Sequence, residues 1–168
     1  MTNLIVAKFG GSVLGLDGIS IPEIIKRIIN LKKESKIIAV FSAPLTIHND
    51  KKRSLTDVVL EQGRNAENGI VPNLDIVKLT YQKILELVNS ENKEECKKSI
   101  DLHLQMAQKA LDEALEKKEF VDEVRSRALA FSGEILISHV MNYIIRSNGI
   151  KADAVSFDDW PIITDDNI

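Results

Sequence analysis

The sequence predicts an α/β domain in which a parallel sheet carries a layer of helices. Three observations predict it. Two short apolar, β-branched runs flank an amphipathic stretch within residues 3–41. Helical periodicities then follow one another from Leu55 to Asn148. A further strand-like run, Lys151 to Val155, comes after Gly149. The order strand, helix, strand implies parallel neighbours joined by a right-handed crossover.

Asn3 to Phe9 is apolar enough for a strand buried on both faces, and Gly10-Gly11-Ser12 ends it abruptly. Ser20 can cap the next helix, with Pro22 in its first turn and Glu23 at its positive end. Ile21, Ile24, Ile25, Ile28 and Leu31 recur at helical spacing, and Lys32 and Lys33 sit at the negative end. Lys36 to Phe41 is a second buried strand. Pro44 to Ser54 reads as a polar, mobile loop with a basic tip, Asn49-Asp50-Lys51-Lys52-Arg53. A helix runs from Leu55 to about Gly69. Asn73 can cap another, with Leu74, Val77, Tyr81, Ile84, Leu85 and Val88 on one face. Asn92 to Lys118 is a long charged helix striped by Ile100, Leu104, Ala107, Leu111 and Ala114. Glu119 to Ala130 continues as another. Ser132-Gly133-Glu134 opens a last helix, which Gly149 ends as a left-handed cap. Pro161-Ile162-Ile163 fits a short fourth strand.

With 168 residues, 44% of them hydrophobic, the chain suits one domain with a core that needs no disulfide or structural metal. Aromatic residues are only 5%, so that core is mainly aliphatic. The net charge of −3 argues against a nucleic-acid partner, which requires a basic face, but leaves room for a small cationic pocket. Cys96 is the only cysteine, which excludes an internal disulfide and a cysteine-based zinc site. Leu4-Ile5-Val6-Ala7 stops at Lys8, too short for a signal or a membrane span. The expectation is a soluble protein of the reducing cytoplasm, with no membrane partner. His48, His103 and His139 lack metal-ligand spacing, and no metal site is expected.

Three segments carry the chemistry. Lys8-Phe9-Gly10-Gly11-Ser12 lies at the carboxyl end of a strand, where open α/β sheets bind ligands. Paired glycines let backbone N–H groups approach an anion, and Lys8 is near enough to share it. A unit charge pair at ~4 Å is worth about 4 kcal/mol at an effective dielectric of ~20, a useful hold on a phosphoryl group. The other reading is a tight turn with a snorkelling lysine. Ser42 opens onto the same edge if the strands are neighbours, either to bond a polar ligand or to satisfy its own loop. With Ser132 as N-cap, Glu134 falls in the first turn of its helix, where it either holds a substrate ammonium group or simply stabilises the helix.

In this order, together with Thr56-Asp57 opening a helix, these segments resemble the amino-acid kinase family. Phe9 after Lys8 and the run Ser132-Gly133-Glu134-Ile135-Leu136-Ile137-Ser138 are most similar to the aspartokinases. Asn148 to Ala152, followed by Ile162 to Asn167, resembles the segment that closes the aspartokinase amino-acid lobe. The resemblance implies a three-layer αβα sandwich with a mainly parallel sheet, here incomplete. Residues 1–168 would be its N-terminal substrate-binding lobe, without the nucleotide-binding half and regulatory domains. It implies transfer of a phosphoryl group from ATP with Mg2+ to the β-carboxylate of L-aspartate, the first step towards lysine, threonine and methionine. Lys8 would stabilise the transferring phosphate beside Gly10, Gly11 and Ser12. Ser42 and Thr56 would contact aspartate, and Glu134 would hold its α-ammonium. The lobe alone is expected to turn over little.

The sequence departs from that pattern at two places. Gly10-Gly11-Ser12 is one residue shorter than the Gly-Gly-Thr-Ser of aspartokinases, and Pro44-Leu45 with a basic loop replaces a short glycine turn. Two alternatives stand beside the first reading. One is a kinase of the same family with another acceptor; a phosphate acceptor would be repelled by Glu134. The other is a non-catalytic lobe that dimerises through the helices between Asn73 and Ala130. A homo-oligomer is expected in either case.

Overall fold

A computed structural model describes residues 3–155. β1 (Asn3–Phe9) and β2 (Ser35–Phe41) pair in parallel, with Lys8 opposite Val40 and Phe9 opposite Phe41. Between them come a one-turn helix α1 (Gly11–Leu14) and the crossover helix α2 (Ile21–Lys32). The hairpin strands β3 (Leu45–His48) and β4 (Lys51–Ser54) follow. The remaining elements are α3 (Leu55–Glu67), α4 (Asp75–Leu85), α5 (Ser90–Lys117), α6 (Asp122–Ser132) and α7 (Glu134–Ser147). The protein is thus mixed α/β, with a small parallel sheet and a small antiparallel one.

The expected βαβ unit is present, and its helix buries Ile21, Ile24, Ile25 and Ile28 at the expected spacing. The rings of Phe9 and Phe41 stack with centroids 5.4 Å apart and planes 16° from parallel, locking the carboxyl ends of the two strands in register. The sheet departs from expectation on its other face. Val6 is 66% exposed and Leu4 60%, with Ile38 and Val40 beside them in part exposed. Burial alternates along both strands, so among the described residues one face is covered and the other open.

The helical layer is organised by α5, which at about 1.5 Å per residue spans roughly 42 Å. Asn89 caps it, its Oδ1 accepting from the Asn92 N–H at 3.1 Å. Its buried stripe sets small residues, Cys96, Ala107, Ala110 and Ala114, among Ile100, His103, Leu104 and Leu111, and α6 and α7 pack along it. Cys96 is fully buried, and burial pushes its thiol up to about 12. α5 ends on Lys118 in the left-handed region, and Phe120 then turns inward onto α3.

Four other expectations are corrected. Pro44 to Ser54 is not a loop: β3 and β4 form a hairpin whose two turn residues, Asn49 and Asp50, both have φ above 0°. That backbone suits a tight primed turn, and Asn and Asp tolerate it better than most residues. Gly10-Gly11-Ser12 leads into α1 rather than a plain turn, since Val13 and Leu14 donate to the Gly10 carbonyl. Ser20 makes no side-chain cap. Lys151 to Val155 forms no strand and pairs with none among the described residues, although it lines a groove together with β2. The expected fourth strand at Pro161 to Ile163 falls outside the described residues. One stretch, Asp122–Ser147, is long and apolar enough to cross a membrane by length and composition, yet half of its apolar window is buried and Gly133 interrupts it.

Gly63, inside α3, faces Phe120, and a Cβ there would overlap the ring. Gly63→Ala should therefore destabilise the protein by about 1–3 kcal/mol through overpacking. Urea unfolding checks this; an unchanged midpoint would show that Phe120 moves aside freely.

Candidate functional site

The site is built around Ala43, where the ends of β1 and β2, the start of α3 and the α6–α7 junction meet. Because β1 and β2 are parallel and in register, Gly10-Gly11 and Ser42-Ala43 leave the sheet at the same edge. The Ser42 N–H donates to the Phe9 carbonyl at 3.0 Å, extending the ladder one step past the strands. Gly11 passes so close to Ala43 that a Cβ would overlap the Ala43 carbonyl oxygen. From the opposite side comes Gly133, whose Cβ would sit 3.4 Å from the Ala43 side chain and 3.5 Å from the Thr56 hydroxyl. Thr56 itself is in the first turn of α3, which Ser54 caps by accepting from the Asp57 N–H at 3.0 Å.

Of the residues expected from sequence, Gly11, Ser42 and Thr56 thus converge with Gly133, which carries Glu134. Lys8, Ser12 and Glu134 are exposed around them. Lys8 projects on the open face of β1 with Leu4 and Val6, and among the described residues it belongs to no ion pair. The two glycines turn out to have different reasons. Gly11 is required by packing. Gly10 is extended, and a Cβ added to it would meet nothing within 4 Å. The space above Gly10 is open, so its backbone is accessible to a ligand.

Ser132 is a correction. It does not cap α7; it is the last residue of α6, fully buried, and its hydroxyl donates back to the Ala128 carbonyl at 2.6 Å. Gly133 alone separates α6 from α7, and Glu134 is the first residue of α7, in the first-turn position expected of it.

Two supports were not legible as functional in the sequence. Tyr81, read only as part of a helix stripe, is fully buried, and its hydroxyl donates towards the carbonyls of Ser132 and Gly133 at 3.0 and 3.1 Å. The second support centres on Asp17. Its Oδ1 accepts from the hydroxyls of Thr46 at 3.1 Å and Thr80 at 3.3 Å, and its Oδ2 pairs with Lys83 Nζ at 2.6 Å. The Asp17 N–H also donates to the Leu45 carbonyl at 2.7 Å, tying the α1–α2 turn to the hairpin beside the site. No spacing rule links residues 17, 46, 80 and 83. The hairpin did carry a signal: Asn49-Asp50 after the β-branched pair Thr46-Ile47.

The hairpin is held to α3 by Glu61, whose carboxylate accepts from Arg53 and lies 3.3 Å from His48 Nε2. Arg53 also donates to the Asp57 carbonyl at 3.1 Å. The Arg53 bond is the main reason that the Glu61 carboxyl titrates below its ordinary 4.5; desolvation opposes it, and the His48 bond adds to it. A groove of about 920 Å3 runs between β2 and α7, past Val40, Ser138, His139 and Asn142, with Glu134 at one end. It shares Glu134 with the site and does not reach Lys8, Gly10 or Ser42.

Two predictions follow from this geometry. Gly11→Ala should lower stability by about 1–3 kcal/mol, whereas Gly10→Ala should change it by less than about 0.5 kcal/mol. Equal unfolding midpoints for the two variants would contradict the distinction. For Glu61 the folded pKa is lowered, so its contribution is complete above 4.5 and is lost as pH falls through the lower folded value. Glu61→Gln should cost about 0.2–1 kcal/mol at neutral pH and flatten that acid limb, as denaturation measured across the acid range will show.

Comparison with curated protein sequences returned no match. Comparison with protein families returned one covering residues 3–167, the amino acid kinase family. With nearly the whole chain matched, and with the carboxyl ends of two parallel strands and two glycine-dependent junctions meeting at Ala43, the chain belongs to the amino acid kinase family.

Proposed function

We propose that the chain is the substrate-binding lobe of an aspartate kinase, part of a larger three-layer αβα sandwich, acting on the β-carboxylate of L-aspartate. Membership of the family implies an ATP-dependent phosphotransferase with an amino acid as acceptor. The finer assignment rests on the residues. The observation that carries it is the shared edge at Ala43, where an accessible Gly10 backbone and a cationic Lys8 lie on the strand side and Glu134 leaves the helix side.

In this reading each group has one task. Gly10 and Lys8 receive the phosphate chain of ATP, the amide by hydrogen bonding and the ammonium by charge. Ser42 and Thr56, both half-buried at the junction, orient the acceptor. Glu134 pairs with its α-ammonium, which selects an amino acid over a phosphate-bearing acceptor. An oxygen of the substrate carboxylate then attacks the γ-phosphorus, the bond from that phosphorus to the bridging oxygen breaks, and ADP leaves with the electron pair. The product is an acyl phosphate. The substrate is its own nucleophile, so the protein has only to position the reactants and neutralise charge. Family kinases use Mg2+ with ATP; among the described residues no group of three or more His, Cys, Asp or Glu side chains converges, so no residue here is assigned to the metal.

Calorimetry with L-aspartate tests the assignment. The chain should bind it saturably, Glu134→Gln should weaken binding at least about ten-fold, and Lys8→Ala should leave it within about two-fold because Lys8 serves the phosphate. In the complete enzyme Lys8→Ala should lower kcat by about 100-fold or more with little change in the aspartate KM. Absence of aspartate binding, or equal binding by Glu134→Gln, would overturn the reading.

A further inference from the structure

We propose that Tyr81 is a positioning residue for Glu134: from within the core, its hydroxyl fixes the backbone from which the Glu134 carboxylate leaves α7. The proposal rests on the reading of Glu134 as the ammonium ligand. α6 ends at Ser132 and α7 begins at Glu134, so a single residue sets the angle between the helices. Gly133 has φ −115° and ψ −104°, outside both the helical and the strand regions. A helix start of this kind needs something besides its own hydrogen-bond ladder to hold it.

That hold comes from another part of the chain. Tyr81 lies on α4, fully buried, and its single hydroxyl proton is shared between the Ser132 and Gly133 carbonyls at 3.0 and 3.1 Å. The Gly133 carbonyl also accepts from the Ile137 N–H at 2.9 Å, so the same oxygen anchors both the first turn of α7 and the phenol. Burial, and then the nearby Glu134 charge, keep the phenol protonated, so it stays a donor across the neutral range. Glu134 is the next residue along the chain and is exposed, with no side-chain hydrogen bond of its own among the described residues. Its direction is therefore inherited from the backbone that Tyr81 holds. A carboxylate must come within about 3.2 Å of an ammonium to bond it, so a displacement near 1 Å at this junction removes the contact.

Aspartate titration of the 168-residue chain and its Tyr81→Phe, Glu134→Gln and double variants tests the proposal, alongside amide hydrogen exchange without ligand. Tyr81→Phe should weaken aspartate binding about ten-fold in the parent and less than two-fold in the Glu134→Gln background, since the effect runs through that carboxylate. Exchange at Gly133 and Ile137, whose N–H groups donate to the Leu129 and Gly133 carbonyls, should quicken at least ten-fold while that of α2 stays unchanged. Unaltered binding by Tyr81→Phe, or the same loss in both backgrounds, would overturn the positioning role while leaving the aspartate reading intact. If the parent chain binds no aspartate, the aspartate reading fails. The exchange result then decides alone whether Tyr81 holds the junction: unchanged exchange overturns it, and local acceleration upholds it.

Discussion

The close approach of the Gly11 and Ala43 backbones is the constraint on which the candidate site depends. Parallel pairing of β1 and β2 brings these two turns to one edge, but pairing alone does not bring them into contact. Contact requires that residue 11 have no side chain, because the Ala43 carbonyl occupies the place of its Cβ. Gly133 meets the same constraint from the helical side, with Leu129 O 2.9 Å and the Ala43 side chain 3.4 Å from where its Cβ would be. Ala43 itself is 3% exposed and small. A larger residue at any of these three positions would push the strand end, the loop or the α6–α7 junction outward. The groups proposed to bind substrate touch these contacts or lie within three residues of them, so they would move with them.

Such close packing leaves backbone polar groups without water, and the fold answers with buried side chains rather than with solvent. Tyr81 serves the carbonyls of the helix junction, Ser132 serves the Ala128 carbonyl, and Asp17 gathers two buried threonine hydroxyls and Lys83. The Tyr81 and Asp17 bonds connect elements far apart in sequence, whereas the Ser132 bond closes within α6. Thr80 and Tyr81 are neighbours on α4, one reaching the Asp17 cluster and the other the α6–α7 junction. α4 contributes no group to the proposed chemistry, yet it braces the site from both directions.

This division explains what the sequence could and could not disclose. The βαβ unit was legible because Ile21, Ile24, Ile25 and Ile28 follow helical spacing between two β-branched runs, a pattern local to the chain. Glu134 was legible because a Gly-Glu step opening a helix is also local. Tyr81 was not: as one apolar-faced residue in the Val77–Ile84 stripe it looks like core, which it is, and its hydroxyl finds partners 51 and 52 residues away. Ser132 was misread for a related reason. A serine ahead of Gly-Glu fits an N-cap, but its position at the end of α6 lets its hydroxyl bond backward along its own helix instead. The open face of the sheet was not foreseen because Leu4, Val6, Ile38 and Val40 have the composition of strands covered on both sides.

The distribution of burial fits a phosphotransferase whose acceptor carries its own nucleophile. An enzyme that attacks with its own side chain needs that group activated by a neighbour, commonly in a partly desolvated setting. Here the groups with a proposed chemical task are exposed (Lys8, Glu134) or half-buried (Gly10, Ser42, Thr56), while the buried hydroxyls of Thr80, Tyr81 and Ser132 are committed to backbone and scaffold bonds. Exposed cations and carboxylates are weak partners in water, where a charge pair at ~4 Å is worth about 1 kcal/mol, against about 4 at an effective dielectric of ~20. Their strength therefore depends on the reactants themselves excluding water when they occupy the edge. What the protein contributes beforehand is placement. That is why the glycines at 11 and 133, whose lack of a side chain lets the junction close, are as necessary to the proposed function as Lys8 or Glu134.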